Sequence, residues 1–177
     1  MQNKSFMRSA FGLSITALFL ALNVLLSCFG IPFPGGKIFL NDVVICSAAF
    51  LLADPLAAFC IGGVGAFIGD FLFFPPWMFI SLAVHGIQAA AIAYLSRRLC
   101  PQRPEIGSAI SFFIGALLML TGYSIARAYM YGSVAAAVIG LPFEIVQAGI
   151  GVVGAWLLCW RLGLVRFFDR VLLRFSR

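Results

Sequence analysis

Charge is scarce in this sequence. Only 10% of its residues are Asp, Glu, Lys or Arg, where a soluble protein carries about 25%. A water-facing shell cannot be assembled from so few ionic side chains, so an ordinary soluble domain is excluded. Histidine occurs once, at His85, and the five cysteines (Cys28, Cys46, Cys60, Cys100, Cys159) form no CxxC pair. That leaves no basis for a Cys/His metal site, and the cysteines read as small apolar fillers of helix interfaces. Enzyme signatures are missing too: there is no HExxH, no GxSxG and no P-loop. No catalytic residue, cofactor or metal is expected, and without an ATP site the chain cannot power transport alone. Internal repeats and low-complexity segments are absent. Prolines fall at helix ends, so the broken-helix repeats of many secondary transporters are not visible.

What the chain has is apolar surface. Hydrophobic residues make up 63% of it and the mean hydropathy is +1.07, so the bilayer is its main solvent. The expected fold is an all-α integral membrane protein, a single domain of six transmembrane helices covering residues 1–177. The helices are expected at about 7–29, 38–53, 56–73, 77–95, 106–131 and 141–161. The turn-rich stretch Gly30 to Gly36 ends the first, Asp54-Pro55 separates the second from the third, and Pro75-Pro76 opens the fourth. Pro104 suits the first turn of the fifth, and Leu141-Pro142 is expected to open the sixth. The second span is only about 24 Å long, hence short or tucked inside the bundle. A basic amphipathic tail over 164–175 is expected to lie at the cytoplasmic surface.

Of the twelve basic residues, all except Lys37 and Arg127 cluster at the N-terminus, between Arg97 and Arg103, or from Arg161 onward. With positive charge inside, both termini are cytoplasmic and the chain is a multi-pass protein of the bacterial plasma membrane. Nucleic-acid binding is excluded, because no wettable face interleaves basic and aromatic residues.

Polar side chains within a membrane are costly and usually functional. Trp77, Ser81, His85 and Gln88 form one stripe of the fourth span. Tyr123, Arg127 and Tyr131 repeat along the fifth, and Glu144 and Gln147 share a face of the sixth with Gly151 and Gly154. Asn23 lies in the first span, Asn41-Asp42 begin the second, and Asp70 lies near the end of the third. All fall in the outer half of the membrane, while the inner halves hold no charge. A channel or proton wire needs polar groups across the whole thickness. This asymmetry describes instead a pocket open outward and closed below. The candidate ligand residues are Asn41, Asp42, Trp77, His85, Gln88, Tyr123, Arg127, Glu144 and Gln147. With Phe73 and Phe74 they suit a flat, polar, heteroaromatic solute. Several of these polar residues have a structural alternative. Arg127 and Glu144 can simply pair, His85 can be a packing histidine, and Asn41 and Asp42 can cap a helix. Asp70 can reach the outer interface and Trp77 can belong to the aromatic belt.

Small residues make a second pattern. Ala58, Gly62, Gly65 and Gly69 stripe the third span, where internal packing is expected, and Ala10, Ser14, Ala17 and Ala21 stripe the first. Such stripes allow close helix contact, and the one on the first span can face a partner protein.

Four stretches resemble the substrate-binding S components of energy-coupling-factor (ECF) vitamin transporters. Ala17-Leu-Phe-Leu-Ala21 is similar to the family's contact for its transmembrane coupling subunit, and Gly36-Lys-Ile-Phe-Leu-Asn-Asp42 to the segment leading into the second helix. Gly62 to Asp70, followed by the proline-bounded span with His85-Gly86, resembles a glycine-rich helix and a lysine-glycine step. Gly122-Tyr123 and Pro142-x-x-x-x-Gln147 resemble the outer ends of the last two helices. The chain departs from the pattern at His85, where lysine is expected, and at Arg127 and Glu144, where relatives often carry an acid and an asparagine. The resemblance implies capture of a vitamin or vitamin precursor from outside, with a pyridine or pyrimidine compound as the favoured ligand. It also implies a coupling subunit, two cytoplasmic ATPases, and release by reorientation of the whole S component in the membrane. Two rival classes remain from the residues alone: a structural or assembly membrane protein, and a self-sufficient channel or secondary carrier.

Overall fold

The structure is a computed structural model, and it describes residues 9–33, 36–130 and 132–175. Tyr131, two residues of the turn-rich stretch (Pro34 and Gly35) and the basic residues Lys4, Arg8 and Arg177 lie outside the described residues. Five helical segments are long and apolar enough to cross a membrane, and a sixth, shorter apolar helix completes the bundle. Helix α1 spans Ala10–Cys28 and is capped by the Ser9 hydroxyl, which accepts from the Gly12 amide at 2.9 Å. An antiparallel hairpin follows, β1 (Gly30–Phe33) paired with β2 (Gly36–Phe39), with Gly30 opposite Phe39. This corrects the expectation of a helix from residue 38: Ile38 and Phe39 belong to β2, and the helix begins three residues later.

Helix α2 (Asn41–Leu52) is short, at about 18 Å for twelve residues, against a hydrocarbon core of about 30 Å. It need not span, because it is enclosed by α1, α5 and α7, and most of its residues are buried. Ala53 adopts a left-handed conformation (φ 46°) and Asp54 then caps the next helix, accepting from the Leu56 and Ala57 amides at 3.0 and 3.1 Å. Helix α3 (Pro55–Phe59) runs through a wider π turn (Cys60–Val64) into α4 (Gly65–Phe73) as one rod. A 3-10 turn at Pro75–Trp77 leads into α5 (Met78–Ser96), and Pro104 is the first residue of α6 (Pro104–Met130).

The sixth span starts at Val134, not at Leu141. Helix α7 (Val134–Trp156) carries Pro142 inside it and ends in a π turn, Leu157–Arg161. In a membrane bundle, neighbouring helices and local adjustments re-satisfy the backbone groups a proline frees, so Pro142 does not open the helix. The start is marked by Gly132, at φ 60°, and Ser133, in an extended conformation, just ahead of an apolar run. Helix α8 (Leu164–Phe175) then turns back along the cytoplasmic end. Its Phe168 is buried against Leu51, Leu52, Ala57 and Ile61, with Ile15 and Phe19 of α1 alongside.

Glycines set the helix spacing around the future site. A Cβ on Gly62 would stand 2.6 Å from the His85 carbonyl, and one on Gly63 2.7 Å from that of Leu82, so α5 lies directly on the π turn. On the other side of the rod, Asn23 of α1 donates to the Ile61 carbonyl at 2.6 Å and to that of Gly62 at 3.3 Å. A π turn shifts the helical hydrogen-bond register, and the Asn23 amide serves the carbonyls there. Asn23 is thus fully buried as a structural clamp. Beneath the polar end lies a dry core of Ile45, Cys46, Ala49, Ile92 and Phe112, all essentially inaccessible. Leu18, Phe79, Phe113 and Val153 face outward, as a lipid-solvated surface requires.

Candidate functional site

One cavity of about 670 Å³ occupies the end of the bundle away from Arg97, Arg98, Arg161 and Arg166, the outer end. Its size is that of a small-molecule site. Of the nine candidate ligand residues, seven line it: Asn41, Trp77, His85, Tyr123, Arg127, Glu144 and Gln147. Asp42 and Gln88 do not. They are buried behind His85 and Gln147 and hydrogen-bonded to them, off the lining on which the sequence had placed them with the other seven. Phe73 is exposed to lipid, whereas Phe74 lines the cavity.

Asp42 organises the inner wall. Gln88 donates its amide to Oδ1 at 3.2 Å, and Gln147 donates to Oδ2 at 2.8 Å. With its nitrogen committed, Gln88 presents Oε1 to His85 Nδ1 at 2.7 Å. The histidine therefore donates from Nδ1, which also stands 3.6 Å from Asp42 Oδ1. Gln147 Oε1 meanwhile accepts from the Phe39 amide at 3.1 Å, tying the hairpin to the bundle. This closeness of α2 and α7 depends on Gly151, where a Cβ would stand 2.7 Å from the Asp42 side chain.

A second chain of bonds runs through the side wall. Ser81 donates to Asp70 Oδ2, and the Tyr123 hydroxyl lies 2.6 Å from Ser81 Oγ. Both Asp70 and Ser81 line the cavity. Asp70 belongs to the polar set mapped from the sequence but not to its ligand candidates; its terminal place on α4 resembles an interfacial carboxylate. Ser81 sits on the same stripe as Trp77 and His85, and that spacing is the signal that could have selected it. Ser27, Phe39 and Phe143 also join the lining, and no linear pattern singles them out.

Aromatic rings form the remaining walls. Trp77 and Tyr123 have centroids 5.8 Å apart, and Tyr123 meets the His85 ring edge-on at 5.5 Å. Arg127 lies 5.4 Å over Trp77 and donates to Glu144 Oε1 at 2.6 Å. Its guanidinium crosses Gly140, where a Cβ would be 2.5 Å away. The pairing of Arg127 with Glu144 is thus part of the wall, and it leaves Glu144 Oε2 buried without a partner. Asn41 donates to Ser27 at 3.3 Å, and its Oδ1 is likewise buried and unpartnered.

On α1 the two faces are separate. Gly12, Thr16, Asn23 and Ser27 point inward, whereas Ala10, Ser14, Ala17 and Ala21 are all exposed. Among the described residues no group of three His, Cys, Asp or Glu side chains could hold a metal ion.

A bundle of membrane helices with an aromatic-walled cavity at its outer end and a dry core beneath defines a solute-capturing membrane protein. The chain belongs to the family described as "ECF-type riboflavin transporter, S component", whose model matches residues 8–163. It is 37% identical over 146 residues to "Thiamine precursor transporter HmpT" of Lactococcus lactis subsp. cremoris (strain MG1363), covering 80% of this chain and 81% of that protein. It is 29% identical over 126 residues to an "Uncharacterized protein in gap 3'region" of Pyrococcus woesei, covering 70% of this chain and 81% of that one. A solved structure described as the S component of a bacterial ECF transporter shares the fold, with a TM-score of 0.65 at 19% identity, covering 88% of this chain and 95% of that one.

The protein is therefore a transport subunit of the bacterial plasma membrane and not an enzyme. It captures a vitamin or vitamin precursor from outside for ATP-driven uptake, together with the ECF membrane and ATPase modules. That membership decides against both rival classes.

Proposed function

We propose that this S component captures a flat nitrogen heterocycle of the pyrimidine or pyridine type, held in the outer cavity between Trp77, Tyr123 and His85. The single observation that carries the reading is that one cavity joins a cluster of rings, Trp77, Tyr123 and His85, with the polar side chains of Asn41, Gln147, Arg127 and Glu144. A planar ring gains stacking energy of about 0.5–1.5 kcal/mol per aromatic neighbour, and its heteroatoms meet the polar edge. Asp42 and Gln88 act indirectly, by fixing the orientation of His85 and Gln147. The relative from Lactococcus lactis, whose name is that of a thiamine precursor transporter, favours a pyrimidine over a flavin.

The exposed stripe Ala10, Ser14, Ala17 and Ala21 is the proposed contact for the transmembrane coupling subunit. It lies on the outside of α1, away from the cavity-supporting residues Asn23 and Ser27. Capture and coupling then occupy opposite faces of one helix.

The test is direct. Purified protein is washed, the retained small molecule is identified by mass spectrometry, and its affinity is measured by calorimetry. Retention of a pyrimidine or pyridine vitamin precursor supports the reading. Retention of riboflavin, or of a non-aromatic solute, refutes it.

A further inference from the structure

Helix α8 begins at Leu164, just past the residues 8–163 that match the family model, so the match does not rest on it. One side of this helix is accounted for. Phe168 is 6% exposed and sits among Leu51, Leu52, Ala57 and Ile61, with Leu164 and Leu172 packed against the same cluster. Arg166 and Arg170 stand two residues to either side of Phe168, about 160° round the helix from it. Both are exposed, one turn apart, on the face directed away from the bundle. The short acid–base contacts among the described residues are His85 with Asp42 and Arg127 with Glu144, so neither guanidinium is paired with a described carboxylate. Asp169, the one acid of α8, lies on the flank opposite Phe167 and lines a smaller cavity of about 300 Å³ together with Arg97.

Two further observations say what meets the arginine face. Leu162, just ahead of the helix, and Phe167, beside the arginines, are 77% and 63% exposed, although water penalises both. The acyl boundary of a bilayer does not. At the same end of the bundle, guanidiniums stack on aromatic rings: Arg98 lies 3.9 Å over Tyr94, and Arg161 5.7 Å over Trp156. Such rings mark the membrane–water interface, and long cationic side chains reach from there toward the lipid phosphates. This places α8 at headgroup depth.

We infer that the free face of α8, formed by Arg166 and Arg170 with Phe167 beside them, is a binding site for anionic phospholipid of the cytoplasmic leaflet. A guanidinium forms paired, charge-assisted hydrogen bonds with a phosphate, and Phe167 supplies the apolar contact below it. The negative surface potential of that leaflet adds an attraction that net-neutral headgroups do not offer, so the site sorts lipids by charge. A contact for the cytoplasmic ATPases is the rival occupant, and the exposed Phe167 and the interfacial rings favour lipid over it.

The experiment uses the full chain in mild detergent and three probes: phosphatidylglycerol, phosphatidylcholine with the same acyl chains, and inorganic phosphate. Native mass spectrometry reads the bound fraction of each lipid. Phosphatidylglycerol is expected to bind about tenfold more tightly than phosphatidylcholine, with a ratio that shrinks as salt is raised. Arg166→Gln with Arg170→Gln should cut that ratio to about threefold or less, and Arg166→Lys with Arg170→Lys should retain most of it. Phe167→Ser, which keeps the charge, should weaken both lipids alike; it tests the same face if the glutamine variant does not fold. Equal affinity for the two lipids overturns the inference. So does an unchanged ratio in the folded glutamine variant, or an equal fall on Arg98→Gln, which lies outside α8. Displacement of phosphatidylglycerol by inorganic phosphate at matched concentration makes the face a general anion site and also overturns it. Loss of co-purification with the ATPase subunits at an unchanged lipid ratio assigns the face to a protein instead.

Discussion

Asp42 and Gln147 stand 105 positions apart in the chain and meet at 2.8 Å. Through this bond the start of α2 is locked to the middle of α7, and through Gln147 Oε1 the lock extends to the backbone of Phe39 in the hairpin. Hairpin, inner wall and last span therefore respond together to any change at this point.

His85→Ala and Gln147→Ala should each weaken ligand binding by about 1–3 kcal/mol, because each leaves a buried partner unsatisfied. Gln147→Ala should also loosen the hairpin, visible as faster amide exchange at Phe39. Isothermal calorimetry showing wild-type affinity in both variants would remove these residues from the site.

Arg127 and Glu144 should behave as a coupled pair. Loss of either alone should cost about 1.5–3 kcal/mol of stability or affinity, as expected for a charged hydrogen bond. The exchange Arg127→Glu with Glu144→Arg should recover part of that loss. A double-mutant cycle measured by thermal unfolding checks it, and additive effects would show no coupling.

Gly62→Ala should destabilise the bundle by about 1–3 kcal/mol, since the new methyl group meets the His85 carbonyl backbone and not a yielding side chain. The displacement of α5 should weaken binding too. A substitution at Gly149, which has open space around it, provides the contrast.

Much of this architecture was legible in the chain, and for identifiable reasons. Asp54-Pro55 and Pro104 mark helix starts because proline tolerates a first turn and aspartate caps it. Pro142 carries the same local signal but lies inside α7, where neighbouring helices decide the outcome and sequence alone cannot. The polar stripe on α5 announced the cavity: Ser81 and His85 line it, and Gln88 on the same face holds His85 from behind. What periodicity could not supply is depth behind the wall. Asp42 and His85 are equally polar positions on paper, and only the packing of α2 sets one behind the other.

Replacing Ala17 and Ala21 with leucine should leave ligand affinity unchanged and abolish ATP-driven uptake and co-purification with the coupling subunit. Both positions are exposed and lie on the face opposite Asn23 and Ser27, so the added bulk meets a partner and not the bundle. A parallel fall in binding and thermal stability would assign the stripe to internal packing. Normal uptake by the double variant would eliminate both roles.

The dry floor of Ile45, Cys46, Ala49, Ile92 and Phe112 has an electrical consequence. A proton or sodium ion that reaches the Asp70 end of the cavity finds, among the described residues, only scattered hydroxyls such as Ser47 and Ser111 in the buried interior below, and no charged side chain there on which to continue inward. An idle subunit built in this way should not leak ions. A cell can keep many copies waiting for a scarce nutrient without short-circuiting the membrane potential on which its other transport depends.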